Sequence, residues 1–582
     1  NSNMKIAHTL PWVTITVAQS FDYIIVGAGT AGLTLANRLS QDDKLTIALV
    51  DPGASEKDNA VVKDTLNWLE VSNTYINWNY TSVSQSHANG RKLQYSAGRG
   101  IGGTSLMNGM TYIRGDKAQF DAWEKLGNPG WNWNNLLPYY EKVERLFLPT
   151  ENQQQNGAIV EKEYHGFKGD LHIGFIPVLD NSSFYDTARD TWSALGQDPS
   201  PDVNRGDTKG FSVWPQTLDP VKNVRSDAAT SFYWPIVQQR HNLKLFNGTV
   251  SHLTWTPRCK TPKASGVVYI NPKGDKVQLN AKKEVILAAG SLRSPLILER
   301  SGVGSKKLLQ SMGISTILDL PGVGENMIDQ TNLALIYEST KKFDGYTPYG
   351  TFANARDLFA ENFTAVAATT RKQLSQWATT LASASDGRLS ESALTKVFEI
   401  QHDLIFKQNV TFSELLTLAS GNNLVSAVWP LLPFSRGSVH LGSNSDTAVN
   451  SPVIDPNFLA IDFDLDVNVA TGKLAHKFWE TSPVKEFVKS QVAPSADAIP
   501  PNASNEQWQQ YIKQAFSSNS HALGTLAMMS KELGGVVGPD LRVHGVHNVR
   551  VIDASVIPTQ ISGHLTATIY AIADRAAHII LE

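Results

Sequence analysis

A chain of 582 residues with a net charge of −3 is too long for one simple core and lacks the concentrated basic face that nucleic acid requires. It is 41% hydrophobic and 18% charged, shows no repeat or low-complexity tract, and has no apolar run near the ~20 residues that span a membrane. Cys259 is the only cysteine, which excludes an intrachain disulfide, a cysteine-ligated zinc and an iron–sulfur cluster, and no metal site is expected.

Residues 1–20 form an N-terminal extension. Within it, Met4-Lys5 precedes a short apolar stretch to Ala18, which resembles a secretory signal remnant, although His8 and Pro11 interrupt it. Six sequons, at Asn79, Asn181, Asn247, Asn362, Asn409 and Asn502, are compatible with a secreted glycoprotein but are no more numerous than chance allows.

From Phe21 to Val26 five of six residues are apolar, as in a strand buried on both faces. Gly27, Gly29 and Gly32 follow. The first permits a sharp turn, the second a close approach to pyrophosphate, and the third the packing of a helix on the strand. That helix, Ala31–Ser40, presents free N–H groups and its positive dipole end to the anion. A second apolar strand, 46–50, ends at Asp51, nineteen residues beyond Gly32, where a carboxylate can accept both ribose hydroxyls. A lone glycine triplet is weak, but strand, helix, strand and acid together predict a dinucleotide site. The fingerprint does not separate FAD from NAD.

Two further glycine-rich segments follow. Residues 98–112 embed Ile101, Leu106 and Met107 among five glycines, a composition suited to close backbone approach to a flat or anionic group. Residues 284–304 run from an apolar strand through Gly290 into a helix with Pro295 near its first turn, which Gly302 and Gly304 end.

Segments 98–112 and 290–304, the turn 27–32 and the C-terminal segment 548–558 together resemble the glucose–methanol–choline (GMC) oxidoreductase family, in its order, from Phe21 to the end. Within it the chain is most similar to the fungal FAD glucose dehydrogenases and glucose oxidases. The resemblance implies FAD in a discontinuous Rossmann-like domain, an α/β unit, beside an α+β substrate domain on an antiparallel sheet. The FAD domain would comprise residues 21–115, 225–325 and 535–582, and the substrate domain 116–224 and 326–534. Gly27, Gly29, Thr30, Ala31, Gly32 and Asp51 would hold the ADP half, although the family usually has Glu at the last position. Arg99, Gly103, Thr104, Asn108, Gly109 and Met110 would line the isoalloxazine. Val250 would meet the adenine, and Asp553 and Ala554 the pyrophosphate and ribityl.

The same resemblance makes His521 the catalytic base and His564 its partner. A neutral imidazole suits the removal of a hydroxyl proton while hydride leaves the carbon. Asn519 and Ser517 are expected near substrate. Ser517 stands where sugar-oxidising relatives carry an arginine, and its loss should leave sugar hydroxyls unpaired. The expected reaction is therefore oxidation of a less polar small-molecule alcohol, with oxygen or a quinone-type acceptor. A glucose or aldose dehydrogenase and a non-redox FAD-bound lyase or cyclase are the alternatives.

Overall fold

The computed structural model describes residues 19–345 and 349–582; the N-terminal apolar stretch to Ala18 lies outside them. The strand predicted after the extension is Gln19–Val26, and Ile24 and Ile25 at its centre are fully buried. It sits inside a seven-stranded sheet. In spatial order the sheet runs Leu243–Asn247, Ile47–Asp51, Gln19–Val26, Lys276–Leu287, Ala264–Ile270 and Thr249–Trp255. The first four are mutually parallel and the last two antiparallel. Lys276–Leu287 is long enough to take two neighbours on one edge. Ala264–Ile270 pairs with its first half, and Val549–Val551 runs parallel to its second. Parallel strands need helices on their faces, and here Thr30–Leu39 packs on Leu565–Leu581. The Arg38 Nε donates to Asp574 Oδ2 at 2.6 Å, a buried link between the first helix and the last.

A second, six-stranded sheet is antiparallel throughout. Its order is Val488–Ala493, Thr331–Phe343, Thr411–Pro430, Tyr349–Asn354 and Gly210–Ser212, with Ser517–Ser518 on the edge of Thr331–Phe343. The 20-residue strand Thr411–Pro430 pairs through its first half with Tyr349–Asn354 and through its second with Thr331–Phe343. Beside this sheet, the helices Phe363–Ala384 and Glu391–Phe406 contribute to a separate apolar core in which Trp377, Phe434 and Phe463 pack ring to ring. The fold is thus α/β joined to α+β. A cavity of about 660 Å³ opens where the parallel strands end, and its far wall belongs to the antiparallel sheet.

Candidate active site

The cavity is lined at one end by Gly27, Gly29, Asp51 and Val250, and at the other by His521, His564 and Trp429. At the first end the wall is mainly backbone. Gly27 has φ of +111°, and a Cβ there would lie 2.3 Å from the Ala288 carbonyl oxygen. Gly32 is not on the cavity wall; its hydrogen faces Gly27, whose carbonyl oxygen would lie 1.9 Å from a Cβ. Gly103, at φ +55°, abuts Gly29, with 2.6 Å between its would-be Cβ and the Gly29 Cα. The two glycine segments therefore form one floor. The helix Thr30–Leu39 has no side-chain cap, so the N–H groups of its first turn, at Thr30 and Ala31, remain for an anion.

Asp51 lies at the cavity wall. Its Oδ2 accepts the Ala28 N–H at 2.7 Å and its Oδ1 the Gly53 N–H at 2.6 Å, which leaves each oxygen a further lone pair. Burial raises its carboxyl, against these two bonds and the nearby Arg293 and Arg99 guanidiniums. Arg99, expected to line the isoalloxazine, is on the cavity wall, where its charge reaches Asp51. It lies 4.8 Å from the Trp78 ring centre, and Arg293, which the sequence reading missed, lies 4.4 Å from the same ring. Gly100 abuts Gly53, with 2.5 Å between a would-be Gly53 Cβ and the Gly100 Cα, which brings Arg99 to the end of the Asp51 strand.

Asp553 has a different part from the one expected. Its Oδ2 accepts the Gly290 N–H at 2.9 Å and the Ser294 hydroxyl at 2.6 Å, and its Oδ1 accepts the Ser555 N–H and hydroxyl. Four protein donors saturate this carboxylate, so it clamps the second glycine turn to the C-terminal segment. Only the main chain of Asp553 and Ala554 is left to face the cavity.

Thr104, Asn108 and Gly109 line the cavity between its two ends. The Asn108 amide donates to Thr566 Oγ1 at 2.9 Å, at the start of the last helix, and accepts from the buried Arg225 at 2.9 Å. Arg225 also donates to the carbonyls of Val62, Ser105 and Asn108, and so fixes the glycine-rich segment from below. Burial lowers its pKa to about 10. Met110 is fully buried and off the cavity wall; its φ of +61° marks the turn that ends this segment.

At the other end, side chains from distant segments converge. The rings of His521 and His564 stand 5.1 Å apart at 81°. His521 Nδ1 lies 2.8 Å from Gln330 Oε1. The Gln330 amide nitrogen donates to the Leu431 carbonyl at 3.2 Å, and a carbonyl can only accept. The orientation of this amide is thereby set, and its oxygen must face His521. Nδ1 then carries the proton, and Nε2 is the acceptor on the cavity side. The Asn519 nitrogen lies 3.0 Å from both Gln330 Oε1 and His521 Nδ1, while its oxygen accepts from Asn332 at 2.9 Å; with the Nδ1 proton given to Gln330, the Asn519 nitrogen donates to Gln330 Oε1 alone. Burial and the adjacent His564 push the His521 pKa down to about 3, so the ring is neutral. Asp329 holds the main chain here, accepting the His521 N–H at 2.9 Å and the Ser518 hydroxyl at 2.5 Å; burial raises its pKa to about 6.

His564 Nε2 lies 3.0 Å from Glu414 Oε1; Glu414 is buried and His564 partly so. Ser517, in contrast, is exposed and off the cavity wall, opposite Asn332 on the sheet edge. Four residues of extended chain span about 13 Å, so a residue at that spacing from His521 does not share its pocket unless its side chain is long. Gln330 and Glu414 were missed. Glu414 could have been found as the only charged residue in a 20-residue strand.

An elongated cavity with an uncapped helix N-terminus, a ribose-ready carboxylate, two guanidiniums and a histidine pair fits FAD along its length. The comparisons agree. Residues 21–332 and 433–573 match GMC oxidoreductase. A glucose oxidase-like protein of Humicola fuscoatra is 46% identical, covering 99% of this chain and 98% of its own. Glucose oxidase of Aspergillus carbonarius is 35% identical, covering 97% and 92%. The structure of an FAD-dependent oxidoreductase from Chaetomium thermophilum superposes with a TM-score of 0.86 at 27% identity, covering 96% of this chain and 99% of that one. The chain therefore belongs to the GMC oxidoreductases, FAD-dependent enzymes that act on CH–OH donors.

Proposed function

We propose that the protein oxidises the CH–OH group of a weakly polar small-molecule alcohol, with His521 as base and His564 as its partner. The observation that carries this reading is the tautomer of His521. Its Nδ1–H is held by Gln330, which leaves Nε2 to take the hydroxyl proton. Burial and the neighbouring His564 lower its pKa to about 3, which keeps the ring neutral across the physiological range, with the Nε2 lone pair free to receive a hydrogen bond from the substrate hydroxyl. His564, with Glu414 behind its Nε2, is positioned to stabilise the oxygen as it gains negative charge. FAD, when bound, supplies the hydride acceptor.

Substrate polarity follows from the surrounding wall. Trp68, Ile176, Trp214, Leu416, Leu418 and Trp429 are on the cavity wall, Trp429 with its ring 6.1 Å from that of His564, whereas Ser517 contributes nothing to it. A sugar would bring several hydroxyls to a surface with few free partners. The test is anaerobic bleaching of the visible flavin absorbance by D-glucose and by aryl and furan alcohols. Bleaching by the alcohols but not by glucose supports the reading. Bleaching by glucose first would restore an aldose dehydrogenase, as the similarity to glucose oxidase allows, and no bleaching by any alcohol would favour a lyase or cyclase. Reoxidation under air, compared with a quinone, distinguishes the two acceptors.

Export from the cell is part of the same proposal. Five of the six sequons are exposed, Asn409 being half-buried, and no described helix is long and apolar enough to cross a membrane. Mass spectrometry of the native protein for N-glycans tests it.

A further inference from the structure

Asp329 lies where the two segments that carry the histidine end are paired out of step. Thr331 pairs with Ser518, and Ile328 with Leu523. Two residues, 329 and 330, therefore stand opposite four, 519–522, and the longer side bulges onto the cavity wall with His521 on it. The bulge needs support. Ser520 has a φ of +55°, a conformation that a residue with a side chain keeps only where its surroundings hold it. The pairing gives the His521 N–H no main-chain acceptor, and Asp329 Oδ1 takes it at 2.9 Å. The same oxygen accepts the Gln330 N–H at 2.7 Å. Oδ2 accepts the Ser518 hydroxyl at 2.5 Å, and Ser518 Oγ in turn accepts the Ser520 N–H at 2.9 Å. One carboxylate thus ties together the base, the residue that fixes its tautomer and the start of the bulge.

All three donors are neutral. Asp329 is buried, and among the described residues no lysine or arginine forms an ion pair with it. Tyr95, on the short strand Gln94–Tyr95, is the titratable side chain that bears on it, and the charge of Asp455 bears on Tyr95. Burial raises the carboxyl to about 6, against the bonds from Ser518, Gln330 and His521. A hydrogen bond to a charged oxygen is about twice as strong as one to a neutral oxygen. A protonated Oδ2 would also meet the Ser518 hydroxyl as a second donor.

We infer that Asp329 is a positioning residue for the oxidation: its negative charge holds the bulge and keeps His521 in line, and a proton taken up there releases the base. The inference rests on the alcohol-oxidation reading above and adds to it the group that sets the acid limit of the rate. His521 itself, with a pKa of about 3, is neutral well below pH 6 and does not set that limit.

The test uses the FAD-loaded full chain, saturating 4-methoxybenzyl alcohol, and anaerobic flavin bleaching from pH 4.5 to 9. The rate should fall about thirtyfold between pH 8 and pH 4.5, as expected for one group with a pKa of about 6. Asp329→Asn keeps an acceptor for the two N–H groups but not the titrating charge. Its rate should be flat over this range, at a level below the wild-type plateau. Ser518→Ala removes only the donor to Oδ2, and the decline should move up by about one pH unit. If Asp329→Asn does not load FAD, Ser518→Ala decides alone. A merely structural role would lower the melting temperature of both variants and leave the midpoint of the decline unmoved. That result, or a wild-type rate that does not fall, overturns the inference and leaves the alcohol reading standing. If neither this probe nor any other aryl or furan alcohol bleaches the flavin at any pH, the alcohol reading fails and the inference with it.

Discussion

At the Asp51 end of the cavity the chain presents main chain to its ligand; at the histidine end it presents side chains. Gly27, Gly29 and Gly103 bring backbone to within contact distance at one end, and Thr30 and Ala31 offer N–H groups with no side chain involved. At the other, His521, Gln330, Glu414 and His564 come from four separate stretches, and each is held by another's side chain. Backbone recognition tolerates little change at its glycines and much change elsewhere. Side-chain recognition can be redirected by one substitution, which suits the part of an enzyme that defines its substrate.

The largest expected effect is at the side-chain end. His521→Ala should lower the anaerobic bleaching rate about 10²- to 10⁴-fold while the flavin stays bound, because only the proton acceptor is lost. A variant that lost its flavin at the same time would break the division between the two ends.

A second histidine sharpens it. His440 is as buried as His521 but lies between two carboxylates, Glu299 at 2.6 Å and Glu325 at 2.8 Å. Burial alone would lower its pKa; the charge of Glu299 and the hydrogen bonds from both acids outweigh that and push it up to about 9. The folded value thus exceeds the unfolded 6.5, so its contribution, about 3 kcal/mol, is complete below pH 6.5 and is lost as pH rises through about 9. Chemical denaturation from pH 6 to 10 should show that decline, and His440→Gln should flatten it. His521 is shifted in the opposite direction and should contribute no such alkaline loss.

At the backbone end, Gly103→Ala should cost about 1–3 kcal/mol from a left-handed φ and the contact with Gly29, and should appear as weakened FAD retention in a fluorescence titration. The smallest effect in the series is expected at Gln330. Gln330→Leu leaves Nδ1–H and a carbonyl unpaired and should slow bleaching about tenfold. Gln330→Glu places a carboxylate beside the ring, so the His521 pKa should rise and the acid limb of the rate profile should move to higher pH. If the acid limb does not move, Gln330 does not set the tautomer.

This contrast also explains how far the sequence could be read. The turn 27–32 is legible because its three glycines, the strand before it and the acid after it fall in one short stretch, although the groups that Gly27 and Gly29 make room for, Ala288 and Gly103, are remote. The discontinuous sheet was legible only through resemblance. Nothing near Val549–Val551 announces that it lies beside Glu284–Leu287. The histidines were located by resemblance too, but their partners were not. A glutamine just before a strand, or a glutamate within one, takes its meaning from what the fold brings beside it, and Gln330 and Glu414 become intelligible only when His521 and His564 are there. From its segment Asp553 reads as a cofactor contact, and it does line the cavity; what the segment could not show is that its carboxylate is bound to Gly290, Ser294 and Ser555.

The short strand Val549–Val551 also has a consequence for how the protein is made. It covers the second half of Lys276–Leu287, a stretch fully buried in the finished sheet, yet it emerges from the ribosome only near the end of synthesis. At roughly 5–20 residues per second, Glu284–Leu287 waits some tens of seconds with an open edge. For that interval an unpaired strand, rich in valine, isoleucine and leucine, is available to any other nascent chain. Yield in heterologous expression should therefore depend on translation speed across the 287–549 interval and on chaperones that shield strand edges, even where the finished enzyme is stable.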